Sequence, residues 1–352
     1  MDNLFIFIMA GGSGERFWPM SRKATPKHLL RLIGNQTLLE AAVERALGVV
    51  SEDRVFVLTN RDQLDACRTA VPSLPAGQFL AEPAKRDTAP AAALATGFAR
   101  ARDSQAICAL LPADSMIHDS AAFQRQLRDA AETMRGSTAL LTFSISPTYA
   151  ATGFGYLKLD GETSRAPAGS VVCKVDRFVE KPDLDTAEEY VASGDYGWNA
   201  GMFVWQCEAF LAECDRLSPP LATFIREFPT GDPAAYLAAS FERLPKSSVD
   251  YAIMEQATDV LAIKAEFDWD DVGTWTALPA HLGKDSADNT STGAHAIVDS
   301  RNNIVVANSR IIALCGVSDL VVVETADAVL VCHRNAVQRI KDLQSLLPEE
   351  LR

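Results

Sequence analysis

Residues 4–10 read LFIFIMA, an unbroken apolar run that stops at a pair of glycines. A short run of this kind, ended by a turn signal, is a strand with both faces buried. Such strands belong to parallel sheets covered by helices. The pattern then alternates. Leu38, Leu39, Ala42, Val43, Ala46 and Leu47 recur at helical spacing and predict a helix within 37–50. Residues 55–59 and 107–111 repeat the buried-strand texture, and so do 139–145. Between them lie an alanine-rich helix over 88–102, with Thr88 as its N-cap and Pro90 in its first turn, and a helix marked by Phe123, Leu127, Ala130 and Met134. Strand and helix in alternation predict an open α/β sheet with helices on both faces, joined by right-handed crossovers. Ligands of such sheets collect at the carboxyl ends of the strands, where GGSGER follows one strand and Asp114 another.

The middle of the chain is more mixed. Strands are expected at 154–159, 171–179, 201–205 and 260–267, and helices at 186–193, 208–216, 233–241 and 248–257. The polar, turn-rich stretch GKDSADNTSTG at 283–293 predicts a linker. Beyond it come short β runs at close spacing, which predict a small β domain resembling a rudimentary β-helix, and then an amphipathic helix over about 337–347.

Composition excludes several classes. A net charge of -13 argues against a nucleic-acid binder and makes any local basic cluster worth a question. Seven cysteines, none in a C-x-x-C pair, predict reduced and mostly buried thiols in a cytoplasmic protein. Five scattered histidines suggest no zinc site. The N-terminus is too short and too acidic for a signal peptide, and no apolar run approaches the ~20 residues of a membrane span, so no membrane association is expected.

The glycine loop itself excludes three readings. Counting from Gly12, the third glycine of a dinucleotide fingerprint would fall on Phe17. No G-K-[ST] follows at P-loop spacing. A nucleophile elbow starting at Gly11 would need glycine where the chain has Glu15, so Ser13 is not a nucleophile. Backbone N–H groups in such a loop can still approach an anion closely.

The longer stretch GGSGERFWPMSRKATPKHLL resembles the signature of the sugar-nucleotide pyrophosphorylases. Its Trp-Pro pair and the Ser-Arg that follows point to the mannose-1-phosphate guanylyltransferase branch. EPAKRDTAPAAALA, LLPADSMI, TGFGYL, FVEKP, WNAGMFVW, SVDYAIMEQ and WDDVGTW follow in family order over nearly the whole chain. The resemblance implies an α/β fold in two parts. Residues 1–284 would form a Rossmann-like, three-layer nucleotidyltransferase domain on a mixed sheet. Residues 285–352 would form the small C-terminal β domain with its terminal helix.

It also implies the transfer of GMP from GTP to mannose 1-phosphate, with Mg²⁺ as cofactor. The acceptor phosphate is largely dianionic at neutral pH, since its second pKa is near ~6, so no general base is required. The difficulty is charge: two polyanions must meet in line, which calls for positioning and neutralisation. On the family pattern Gly11, Gly12, Ser13 and Gly14 wrap the triphosphate, Arg16 holds the β and γ phosphates, and Lys27 contacts the phosphates at the reaction centre. Arg22 and Lys23 could equally be surface charge. Asp114 and Asp271 match the two metal-binding aspartates, and hard carboxylate oxygens suit Mg²⁺. Glu82, Arg86, Asp87 and Thr88 match the guanine segment, where the family usually carries Asn in place of Asp87. Gly155, Glu180, Lys181 and Asn199 match the sugar site.

Glu15 stands where Thr is commoner. Another acceptor, such as glucose or heptose 1-phosphate, and a non-catalytic nucleotide-sugar binder are the alternatives. A second, isomerase activity is not expected, because the chain ends at Arg352 just after the β tail. The resemblance implies a homodimer through that tail.

Overall fold

The computed structural model describes residues 2–12 and 14–352. Nine strands form one mixed sheet: β1 (Leu4–Ala10), β2 (Val55–Asn60), β3 (Phe79–Glu82), β4 (Ile107–Pro112), β5 (Leu140–Ile145), β6 (Gly155–Arg165), β7 (Val171–Glu180), β8 (Tyr196–Gln206) and β9 (Val260–Lys264). Their order is β3-β2-β1-β4-β8-β5-β9-β7-β6. The β3-β2-β1-β4 half is parallel, and β8 joins it to the rest antiparallel to both β4 and β5. The chain moves outward from β1 to β2 and β3, then returns to the other side of β1 as β4. That reversal opens a crevice at the carboxyl ends of β1 and β4.

Alternation along β1 shows the layering. Leu4, Ile6, Ile8 and Ala10 enter one core with α1 (Leu38–Leu47), while Phe5 and Phe7 enter the opposite core. The second core is covered by α3 (Thr88–Arg100), which follows α2 (Leu64–Ala70). Alanine-rich α3 has buried side chains from Ala89 to Ala99, and small residues let it sit close to the sheet and to its neighbouring helices.

The C-terminal β runs coil into two small sheets. Residues 290–292, 304–307 and 320–324 stack in parallel and are closed by the antiparallel strand 329–333, while 295–298 pairs in parallel with 312–315. The tail does not stand apart. Ile304, Val306, Val321, Val323, Leu330, Val337 and Ile340 share one core with Phe17, Trp18, Leu30 and Trp275.

Several expectations are corrected. Asp87, not Thr88, caps α3: its carboxylate accepts the Thr88 N–H at 2.8 Å and its φ is +70°. The helix expected over 248–257 is a single π turn, Asp250–Met254. The strand expected over 260–267 ends at Lys264. The terminal helix is broken into Arg334–Arg339, Ile340–Leu343 and Gln344–Leu346, largely 3₁₀. Val337, Ile340 and Leu343 fall three residues apart, the repeat of a 3₁₀ turn, and all three reach the shared core. Two further helices, Pro219–Arg226 and Leu278–Leu282, carry proline in their first turns, where its missing N–H costs no helical hydrogen bond.

Candidate active site

Gly11 and Gly12 leave β1 into open space, with nothing near enough to obstruct a Cβ. Ser13, expected in the triphosphate cradle, lies outside the described residues. Gly14 is different. It has φ +62°, and a Cβ there would collide with the Lys27 side chain and come within 2.8 Å of the Lys27 backbone nitrogen. The glycine is thus required twice, by its left-handed backbone and by the close approach of the Pro-Lys segment.

Lys27 is buried and ties two remote segments together. Its ammonium donates to Asp114 Oδ2 at 2.9 Å and to the backbone carbonyl of Asp271. The segments also meet through their backbones: Met116 N–H donates to the Asp270 carbonyl at 2.8 Å, and Asp270 N–H to the Met116 carbonyl at 3.1 Å. This bridge explains how Asp114 and Asp271, far apart in sequence, share a cavity of about 430 Å³ with Gly14, Arg16 and Lys27.

The turn carrying Asp271 is itself unusual. Val272 is fully buried with φ +44°, a costly conformation for a β-branched residue. Its N–H donates to Asp270 Oδ1 at 2.7 Å, and His281 Nε2 lies 3.0 Å from the other Asp270 oxygen, so Asp270 braces the turn. Neither aspartate caps a helix: Asp119 caps the helix after Asp114, and Thr274 caps the turn after Asp271.

The electrostatics of the pair are asymmetric. Loss of solvent works to raise the Asp114 carboxyl, but Lys27 and His28 outweigh it and hold it below the usual carboxylate range. Burial pushes Asp271 up to about 6, against the pull of Lys27 and with added repulsion from Asp270 and Asp114. Two hard carboxylates crowded on one cavity, one of them short of positive charge, form a donor set that suits a divalent cation.

A second, adjoining cavity of about 880 Å³ is lined by Arg16, Lys181, Asp271, Tyr149 and Phe154. Beside the cleft lies an acidic cluster. Gly155 faces Glu180 across the β6–β7 pair, and a Cβ on Gly155 would come within 2.5 Å of Glu180 Oε2. Lys181 pairs with Glu180 at 2.6 Å. Asn199 accepts from the Thr142 hydroxyl at 2.8 Å and donates to Asp250 Oδ1 at 3.0 Å. Asp250 was not singled out from the sequence, although its segment SVDYAIMEQ was. Burial, then repulsion from Glu180, raises its carboxyl to about 6.

The expected base segment sits apart, at the end of β3, and lines neither of these cavities. Burial and the nearby Asp87 raise Glu82 to about 8. Arg86 is partly buried within the same segment. Thr88 Oγ1 accepts the Val249 N–H at 2.9 Å, which joins this segment to the turn carrying Asp250.

Arg22 and Lys23 do not line either cavity. Arg22 pairs with Asp327 of the tail at 3.1 Å, and Lys23 N–H donates to the Arg352 carbonyl at 3.2 Å. They hold the tail. Among the described residues, no helix is long and apolar enough to cross a membrane, and all seven cysteines are free, five of them buried.

A glycine edge, paired carboxylates and local cations at a topological switch point belong to an enzyme that handles phosphates. Comparison with known proteins agrees: residues 6–286 match the nucleotidyl transferase family and residues 293–346 match the MannoseP isomerase/GMP-like beta-helix domain. The chain belongs to the nucleotidyl transferase family. Within it the chain groups with the mannose-1-phosphate guanylyltransferases. It is 37% identical to the protein of that name from Escherichia coli (strain K12), over 97% of this chain and 72% of the relative. It is 36% identical to the xanthan biosynthesis protein XanB of Xanthomonas campestris pv. campestris (strain B100), over 98% of this chain and 73% of the relative. A crystal structure described as mannose-1-phosphate geranyltransferase from Thermus thermophilus superposes with a TM-score of 0.88 at 31% identity, covering 98% of this chain and 99% of the other.

Proposed function

We propose that this protein transfers GMP from GTP to mannose 1-phosphate, giving GDP-mannose and pyrophosphate. The observation that carries this reading is the convergence of Gly14, Arg16, Lys27, Asp114 and Asp271 on one cavity, with the Glu180–Asn199–Asp250 cluster beside it. In the reaction, a phosphate oxygen of the sugar phosphate attacks the α-phosphorus of GTP. The bond from that phosphorus to the bridging oxygen breaks, and pyrophosphate leaves with the electron pair.

The residues have distinct tasks. The open backbone at Gly11 and Gly12 allows the triphosphate to approach closely. Arg16 lines both cavities and meets the β and γ phosphates. Lys27 holds the two aspartate segments in register and offers its charge at the α-phosphate. Asp114 and Asp271 would hold the divalent cation, Mg²⁺ in this reading, which supplies charge neutralisation at the reacting phosphates when bound. Glu180, Asn199 and Asp250 present acceptors and an amide donor suited to sugar hydroxyls, and Lys181 faces the sugar phosphate. Glu82 offers a carboxyl for the N1–H and N2–H₂ edge of guanine.

The test is pyrophosphate release with GTP, Mg²⁺ and a panel of hexose and heptose 1-phosphates. Mannose 1-phosphate is expected to give the highest kcat/KM. Release with none of the panel would refute the reading, and a preference for another sugar would change the acceptor alone.

A further inference from the structure

The C-terminal tail is sewn onto the phosphate loop. The Trp18 indole N–H donates to the Leu351 carbonyl at 2.8 Å, and the Trp275 indole N–H donates to the Trp18 carbonyl at 3.3 Å. Val337 and Ile340 are buried in the same core as Phe17 and Trp18. This seating places the exposed edge of the terminal turns on the rim of the cleft. Gln338 and Lys341 are three residues apart, so they project on one side of these tight turns. Gln338 lines the larger cavity with Arg16, Lys181 and Asp271. Lys341 lines the smaller one with Gly14, Glu15, Arg16, Lys27 and Asp114. The acid next to Lys341 on its own turn, Asp342, is turned to Arg339 at 3.5 Å.

We propose that Lys341 is a ligand-binding residue of the active site, a third cation that meets the β and γ phosphates and the departing pyrophosphate, so that the C-terminal domain completes the phosphate cradle. The proposal rests on the nucleotidyltransferase reading above. Its physical case is one of charge. Lys27 is divided between the Asp114 carboxylate and the Asp271 carbonyl, which leaves Arg16 and Lys341 facing the distal phosphates. An acidic protein has to gather positive charge locally for such a ligand, and a lysine on a four-carbon stem can reach it from the rim. The Trp-Pro pair after the glycine loop then has a role in the chemistry: Trp18 anchors the element that carries Lys341.

Two variants test this against a control. Lys341→Met keeps the aliphatic stem and removes the charge, whereas Lys341→Arg keeps the charge. Arg339→Ala perturbs the same turns from outside the cleft. The readouts are the calorimetric Kd for inorganic pyrophosphate, KM for GTP and for the sugar 1-phosphate, and the melting temperature. Lys341→Met is expected to weaken pyrophosphate binding and raise KM for GTP by about ten-fold, the scale of one charge-assisted contact. The dependence of the pyrophosphate Kd on salt should become shallower. KM for the sugar 1-phosphate and the melting temperature should stay at wild-type values, and Lys341→Arg should restore most of the loss.

Unchanged pyrophosphate affinity in Lys341→Met overturns the proposal. So does an equal loss in Arg339→Ala, or a fall in melting temperature that accompanies the loss and is not rescued by arginine, since either means the residue only seats the tail. A wild-type protein that neither binds pyrophosphate nor releases it from GTP fails before any variant is made; that result refutes the parent reading and this proposal with it.

Discussion

The phosphate side of the cleft and the side expected to take base and sugar are built on opposite principles. The phosphate side is open and short-range. One stretch, residues 11–27, supplies the glycine loop, Arg16 and Lys27; Lys27 balances Asp114 at hydrogen-bond distance, while Asp271 keeps a carboxyl raised to about 6. The other side is long-range and acidic. Glu82, Glu180 and Asp250 come from three separate segments, and Glu82 and Asp250 carry carboxyls raised to about 8 and about 6. The difference teaches where this fold tolerates cost. Polyanions are met with cations and bare backbone. In the proposed reading, neutral hydroxyls and amide edges would meet acids partly withdrawn from water, whose raised carboxyls cost the fold stability when they ionise.

The largest test of this contrast is at its cationic end. Asp114→Asn removes one carboxylate of the pair and should lower kcat by about 10²–10³, the scale of a lost electrostatic contact in a transition state, while guanine nucleotide affinity changes far less. Steady-state kinetics beside equilibrium binding measure both, and equal losses in the two would mean that Asp114 only shapes the pocket.

Gly14→Ala tests the packing beneath that chemistry. A Cβ there meets the Lys27 backbone nitrogen at 2.8 Å on a left-handed backbone, so the variant should lose about 1–3 kcal/mol of stability and displace Lys27. Chemical denaturation measures the first effect and kcat the second. Full retention of both would show that the Lys27 segment moves aside freely.

On the acidic side, the folded pKa of Glu82 and of Asp250 lies above the ordinary 4.5 and 3.8. Each acid therefore weakens the fold progressively as pH rises above its ordinary value, with the full effect above about pH 8 for Glu82 and about pH 6 for Asp250. Glu82→Gln and Asp250→Asn should each raise stability at pH 8.5 by about 1–2 kcal/mol and change little at pH 4, as followed by thermal melts at the two pH values. Equal shifts at both values would show that the gain is not electrostatic.

The smallest expected effect is at the seam. Arg22→Ala removes a partly exposed pair with Asp327 and should cost no more than about 1 kcal/mol, with kcat unchanged. A large loss of activity would place Arg22 in the chemistry after all.

Local patterning made the parallel half of the sheet legible. Apolar runs bounded by glycine, and the helical spacing of Leu38 to Leu47, report burial that any sequence must show. Leu64–Ala70 and Phe79–Glu82 escaped because a half-exposed short helix and a four-residue strand leave too few positions to set a period. The terminal turns escaped for another reason. Val337, Ile340 and Leu343 fit an amphipathic helix in sequence, and in the fold all three pack into the core of Phe17 and Trp18, with 3₁₀ winding over Arg334–Arg339 and Gln344–Leu346 on either side of a short α-helical piece at Ile340–Leu343. Asp250 was visible inside a recognisable segment, but nothing local marks it; its partner Asn199 is remote in sequence.

The sequence alone therefore determined the kind of sheet, the glycine edge at the end of its first strand, and the residue types that a phosphate ligand demands. These follow from period, composition and spacing, which are local. The tertiary structure decided the rest. It joined Asp114 to Asp271 through Lys27 and the Met116–Asp270 bridge, and set Asp250 against Asn199. It also turned Arg22 away to the tail and carried Lys341 to the rim of the cleft. Those pairings depend on strand order and on a core shared between the two ends of the chain, and no local pattern encodes which distant segments will meet.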